Sequence, residues 1–316
     1  MLKNRIYGLI AIKAVMANWN ADFTGYPKST SDGNIYGSDK ALKYPMKKMW
    51  EAQGEKVLYV KSFKESVIKD KKTKEEVVTI QPKALKERYE EIFDIKDLKN
   101  EKSTQEVLKN LFKAMDVKNF GATFAEEGNN LSITGAVQIA QGFNKYEGTS
   151  VEIQSILSPF RDSTDGDAKN STLGSKIMSD EAHYIYNFCI NPQAYDEYIK
   201  LGVTEGYTRE DYEKFKDVAL VSATSFNTNS KAGCENELSI FIEVEENQYL
   251  PNLESFVKFE KNYDGKDIYH LEFDQLLNDL GDKIKSVEVY YNPYLLEIKT
   301  SLKGVKYFNI FTRKEV

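Results

Sequence analysis

"RIYGLIAIKAVMA" spans residues 5–17 of a 316-residue chain. It mixes β-branched and aromatic residues without the spacing of a helix face, so a strand is predicted. Lys13 interrupts the apolar run and no small-residue cleavage site follows, so the segment reads as part of the fold and not as a secretion signal. Elsewhere no run of about 18 apolar residues occurs, and no membrane-spanning helix is expected. Downstream, a polar segment at 18–37 leads to Ser38 and Asp39, cap residues for a helix predicted to end near Gln53. Leu42, Met46, Met49 and Trp50 form its apolar stripe, and Lys40, Lys43 and Lys47 fall at i, i+3 and i+7 beside it. Pro45 is expected to kink this helix or to mark its true first turn.

Further along, "KVLYVKSFKES" (56–66) and "EEVVTI" (75–80) are predicted as paired strands joined by the lysine-rich "VIKDKKTK". A helix is expected to begin at Pro82. "STQE" (103–106) is a capping box for another helix, ending near Met115. "LSITGAVQIAQGF" (131–143), "SVEIQSILSPF" (150–160) and "EAHYIYNFCI" (181–190) read as strands, the last two separated by the small-polar loop 161–176. Asn191-Pro192 and "TRED" (208–211) each open a helix. The final eighty residues alternate strands with one helix near 273–280, and "NYDGKD" (262–267) is a hairpin turn. Strands and helices interleave around long insertions, which makes the fold class α+β.

Charge is segregated along the chain, whose formal net charge is −6. Residues 1–50 hold eight basic side chains against three acidic ones, whereas 235–291 hold fourteen acidic against five lysines. A basic face can bind a polyanion, and opposite faces can stack copies head to tail. Cys189 and Cys234 suffice for neither a disulfide framework nor a zinc site, and two core or half-buried thiols in a reducing cytoplasm are expected. His183 and His270 lack the companions of a triad or a metal centre. "GDAKNSTLGSK" has the wrong glycine spacing for a phosphate loop. Asp162, Asp165 and Asp167 do not match a calcium loop and read as solvated loop residues. No cofactor and no metal is expected.

Four segments carry a resemblance: "SDKALK" with Lys47 beyond it, "DVKNFGA" (116–122), "ITGAVQ" (133–138) and "GSKIMSDEAHYIYNFCINP" (174–192). In this order and spacing the chain resembles the backbone subunit of the CRISPR surveillance complex Cascade, the Cas-seven family, and most closely its type I-B branch. The resemblance covers most of residues 5–200. It implies a single ferredoxin-like (RNA-recognition-type) palm over 1–316, with insertions near 18–37 (loop), 56–115 (fingers-like) and 161–176 (thumb-like). It further implies copies polymerised along one guide RNA, which pairs with target DNA in antiviral defence. The thumb of one copy would displace a guide nucleotide at regular intervals. Other Cascade subunits and a recruited helicase-nuclease are implied partners, with no catalysis by this chain. Carried over by position, Lys43, Lys47 and Lys118 would contact guide phosphates. Lys40 shares the face of Lys43 and Lys47 by geometry alone. Asn18 and Asn20 lie where family backbones approach RNA. Thr134, Gly135 and Gln138 would line the palm, and Lys176 and Met178 follow the thumb loop, with Met178 the candidate wedge. The chain departs from the family pattern at Tyr44, Pro45 and Ile177, and "YNFCINP" lacks the usual glycine.

Two other readings stay open. Related backbone subunits cut RNA with a loop aspartate after the first strand, the place of Asp22 and Asp32 here. A homo-oligomeric scaffold without nucleic acid is the third class.

Overall fold

The computed structural model describes residues 1–316 apart from 70, 73, 102, 158–159 and 161–172. Asp162, Asp165 and Asp167, and most of the loop 161–176, therefore lie outside the described residues. In chain order the elements are β1 Arg5–Ala17, β2 Tyr36–Gly37, α1 Asp39–Ala52, β3 Phe63–Lys69, β4 Glu76–Pro82, α2 Leu85–Phe93, α3 Thr104–Leu111 and α4 Met115–Phe120. Then come β5 Gly121–Phe124, β6 Leu131–Thr134, β7 Val137–Ile139, β8 Gly142–Asn144, β9 Val151–Leu157, β10 Leu173–Ile190, α5 Asp196–Lys200 and α6 Arg209–Ser225. The last are β11 Cys234–Val244, β12 Val257–Glu260, β13 Asp267–Leu271, α7 Asp274–Leu280, β14 Ile284–Tyr291, β15 Leu296–Lys299 and β16 Val305–Asn309. Two compact units result: Met1–Lys3 with Met46–Gln138 and Ile190–Val218, and Asn4–Pro45 with Ile139–Cys189 and Ala219–Val316.

The second of these units is organised by β1. Its sheet runs β16-β14-β11-β1-β10-β8-β2, with β9 also pairing β10. Ile6, Leu9, Ile10, Ala11, Ile12 and Ala14 are all fully buried, so β1 is covered on both faces. That is why residues 6–12 are continuously apolar and do not alternate. Tyr7, Leu9 and Ala11 enter a core shared with β11, β14, the sheet β12-β13-β15 and Leu277 of α7. On the other face Gly8 has no room for a side chain: a Cβ there would lie 2.0 Å from Ile240 O and 2.5 Å from the Phe188 ring. Beyond the strand, Trp19 Nε1 donates to Tyr186 OH at 2.6 Å, both fully buried.

A charged network ties β10, β11 and β13 together. His183 Nδ1 lies 2.8 Å from Glu237 Oε1, which also accepts from Tyr269 OH at 2.6 Å. His183 Nε2 lies 3.3 Å from Glu181, whose carboxylate takes Lys261 at 2.7 Å and faces Lys13 at 3.7 Å. The imidazole stacks on Phe259 with ring centroids 3.7 Å apart. Glu181, His183 and Asp267 offer ligand atoms within 4.8 Å of one another, but Lys261 already bridges the two carboxylates, 3.2 Å from Asp267.

In the first unit, two glycines press two backbones together. β5 pairs β6 with Gly121 opposite Thr134. A Cβ on Gly121 (φ +82°) would meet Ile133 O at 2.2 Å, and one on Gly135 would meet Asn119 O and Gly121 N at 2.3 Å. The motifs "DVKNFGA" and "ITGAVQ", separate in sequence, thus become one contact. The buried Asp116 carboxylate, 1% exposed, accepts from Leu58 N and Tyr59 N, each at 2.8 Å. Tyr195 OH accepts from Ala136 N at 3.0 Å and donates to Lys118 O, and Tyr207 OH donates to Asn119 Oδ1 at 2.7 Å.

Several expectations change. α1 starts at Asp39 with Pro45 inside it, so the proline does not mark the first turn. The helix expected at Pro82 starts at Leu85, and α3 stops at Leu111. Residues 173–176 extend the long strand β10 and are not loop. Within 18–37, bridges Ala21 to Pro27 and Ser29 to Ile35 form a short ladder.

Two outcomes follow. Gly135→Ala is expected to cost about 1–3 kcal/mol, because its Cβ meets immovable backbone and not a pliable side chain; a lowered denaturant midpoint measures it. For His183, burial pushes the pKa down, but the Glu237 and Glu181 carboxylates outweigh it and the value stands above 6.5. The resulting stabilisation is complete below the unfolded value of about 6.5 and is lost as pH rises through the higher folded one. Glu181 has the opposite sign. The His183 hydrogen bond first and then Lys261, against burial, hold it down to about 2, so its contribution disappears only in strong acid. Unfolding midpoints should fall as pH climbs from about 6.5, and His183→Gln should lose that component. A wild-type protein and a His183→Gln variant with identical pH profiles would place the proton elsewhere.

Candidate nucleic-acid interface

The expected RNA-binding residues divide between the two units. In the unit containing β1, Asn18 follows the strand and is buried. Its Nδ2 donates to Gly25 O at 3.0 Å and to Ile177 O at 3.2 Å, so it ties the end of β1 to the polar loop and to β10. Its Oδ1 has no hydrogen-bond partner among the described residues. Asn20 Oδ1 accepts from Ser38 N at 2.8 Å, fastening the loop to the start of α1. Ser38 Oγ in turn accepts from Ala41 N at 3.3 Å as the helix cap. Both asparagines therefore shape the backbone after β1.

On α1, Lys40 is exposed. Lys43 Nζ lies 2.8 Å from Asp39 Oδ2, one helical turn away. Burial pushes Asp39 up, but hydrogen bonds from Lys43 and Gln141 prevail and leave its carboxyl below the usual range. Lys176 and Met178 lie on the β9–β10 ladder, opposite Gln154 and Glu152. Lys176 is half-buried, and Met178 is only 3% exposed. A wedge at Met178 therefore requires this side chain to leave its packed position. All of β9 is exposed, including Ile153, Ile156 and Leu157.

The other unit holds Lys47, Lys118, Thr134, Gly135 and Gln138. Lys47 Nζ lies 3.6 Å from the buried Asp116 carboxylate, 5.6 Å from the Tyr59 ring centroid and 6.0 Å from that of Phe120. Burial and Asp116 push the Tyr59 hydroxyl up to about 12, so it stays protonated. Lys118 Nζ sits 2.8 Å from Asp211 Oδ2. Asp211 also caps α6, accepting from Thr208 N at 2.8 Å. Thr134 and Gln138 are exposed, and Gln138 Nε2 donates to Gly135 O at 2.8 Å, which stiffens the turn between them. No sequence signal pairs Lys47 with Asp116 or Lys118 with Asp211, which stand 69 and 93 residues apart.

Chemically, these are preset cations. Each paired lysine has a carboxylate that holds it in place, and an incoming phosphate would share or displace that carboxylate. The loop aspartates serve as turn residues. Asp22 Oδ1 accepts from Thr24 Oγ1 (2.7 Å), Thr24 N (2.8 Å) and Tyr26 N (3.1 Å), and the Thr24 hydroxyl foremost lowers its pKa. Asp32 accepts from Ser31 Oγ at 3.1 Å. Burial raises both thiols, Cys234 to about 12. No helix among the described residues is long and apolar enough to cross a membrane.

The family model for CRISPR-associated protein Cas7 matches residues 4–276. Among solved structures, a chain of a CRISPR RNA-guided surveillance complex in its pre-nicking state is 17% identical. The match covers 94% of this chain and 96% of that one, with a TM-score of 0.52. A chain of another CRISPR RNA-guided surveillance complex is 16% identical over 93% and 95%, with a TM-score of 0.46. No curated protein matches the sequence. At 17% identity the first likeness is one of fold, whereas the family match spans most of the chain. This chain belongs to the Cas7 family of CRISPR-associated proteins.

Proposed function

We propose that this chain is the guide-binding backbone subunit of a type I-B Cascade complex in the cytoplasm. Copies polymerise along one guide RNA and present it for pairing with target DNA. Other Cascade subunits cap the filament, and a recruited helicase-nuclease, not this chain, degrades the target. The observation that carries the reading is the Cas7 family match across residues 4–276. α1, α4 and β10 contribute its lysines, which contact phosphates and do not read bases. A filament that accepts any guide needs phosphate contacts and shape, not base-edge readout.

The ferredoxin-like palm is supported by strand order. β1, α1, β8, β10, α6 and β11 follow one another in the chain, and their strands lie in the order β11-β1-β10-β8. β1 pairs antiparallel with β11, and β10 with β8. That is the arrangement of a split βαβ unit, in which each crossover leaves room for a strand of the other half. The non-catalytic reading is supported by Asp22 and Asp32, whose carboxylates are taken up by their own turns.

Two measurements test this. The pair Lys43→Ala and Lys47→Ala should weaken guide binding evenly across sequences and flatten the log K against log salt line by about 0.7 per lysine removed. Unchanged affinity and slope would remove these residues from the interface. Labelled RNA complementary to the guide should stay intact when mixed with the guide-loaded protein, with and without magnesium. Cleavage abolished by Asp22→Asn or Asp32→Asn would favour the RNA-cutting alternative.

A further inference from the structure

At the edge of the large sheet, β2 pairs among the described residues with β8 alone, and Tyr36 stands directly opposite Phe143. Their ring centroids are 6.1 Å apart with planes tilted by 40°, and Phe143 is 38% exposed. The pair borders a groove of 410 Å³ whose other walls include Lys28, Lys40, Thr30 and Gln141. Lys28 comes from the ladder within 18–37 and Lys40 from the first turn of α1. Neither makes an ion pair among the described residues, unlike Lys43 beside them. Asp39 also lines the groove, but its charge is countered by Lys43 at 2.8 Å.

We propose that this groove receives one unpaired nucleobase of single-stranded RNA, stacked on Phe143 and Tyr36, with its flanking phosphates on Lys28 and Lys40. The volume falls within the range of small-ligand sites. An aromatic platform beside uncommitted cations is the combination that holds a single strand without regard to sequence, since every base has a π-face. Thr30 and Gln141 offer a hydroxyl and an amide to the base edge. None of the residues for which the family pattern implies RNA contact is aromatic, so this platform adds a second kind of contact to the phosphate grip. The inference rests on the reading that the chain binds RNA.

The test uses the full chain and an unstructured RNA carrying thiouridine, cross-linked by light and mapped by mass spectrometry. Cross-links are expected on the peptides holding Phe143 and Tyr36. Phe143→Ala and Phe143→Leu should lower affinity by about five- to a hundredfold with an unchanged salt slope, whereas Phe143→Trp keeps affinity. Phe143→Leu preserves apolar bulk, so a loss shared by both variants reports the ring and not misfolding. If the wild-type protein binds RNA, yet these peptides stay unlinked and Phe143→Leu binds equally well, the groove assignment falls while RNA binding stands. If the wild-type protein ignores RNA at low salt, the functional reading falls first. Equal competition by free uridine monophosphate would reassign the groove to a free nucleotide.

Discussion

A strand buried on both faces has no solvent to satisfy its backbone, so it must be paired on both edges. β1 obeys this constraint with β11 on one side and β10 on the other. Much else follows. Gly8 is small because Ile240 and Phe188 crowd it. β10 has to be long enough to pair β1, β8 and β9. Where β1 ends, Asn18 and the Trp19–Tyr186 hydrogen bond fasten the chain before the polar ladder begins. Gly37 completes this corner, since a Cβ there would fall 1.9 Å from Tyr186 OH. A rigid strand end is thus followed at once by the segment that carries Lys28, Asn20 and the start of α1.

The lysines proposed to grip the guide are not loose surface charges. Lys43, Lys47 and Lys118 each face an aspartate, and the Asp116 beside Lys47 is itself buried and bonded to two backbone amides. Such pairs add little stability where they are exposed. In the proposed function their use would be placement: a lysine stem held in one rotamer would lose less entropy on meeting a phosphate. Lys28 and Lys40, without ion-pair partners among the described residues, belong to a different regime, that of cations beside an aromatic pair.

The His183 network does the reverse work. Three carboxylates, Glu181, Glu237 and Asp267, converge with Lys261, Lys13 and one imidazole in a largely buried place. An ammonium bridging two carboxylates offsets their repulsion and joins the segment after β12 to β13 and β10. The cost is a group whose protonation matters to the fold near neutral pH.

Features governed by neighbours within four residues could be read directly from the sequence. The strand at 5–17, the caps at Ser103 and Thr208 and the turn at 262–267 all appear where the residues place them. The local signals of "DVKNFGA", "ITGAVQ" and the α1 lysines were legible too, with the family resemblance giving them meaning. Tertiary structure alone decided what those residues touch. It kept α1 unbroken through a buried Pro45, drew 173–176 into β10, brought Gly121 against Gly135 and set Tyr36 opposite Phe143. Local conformation follows from sterics and hydrogen bonds within a turn of chain, whereas contacts between segments a hundred residues apart depend on which surfaces the whole chain can bury together.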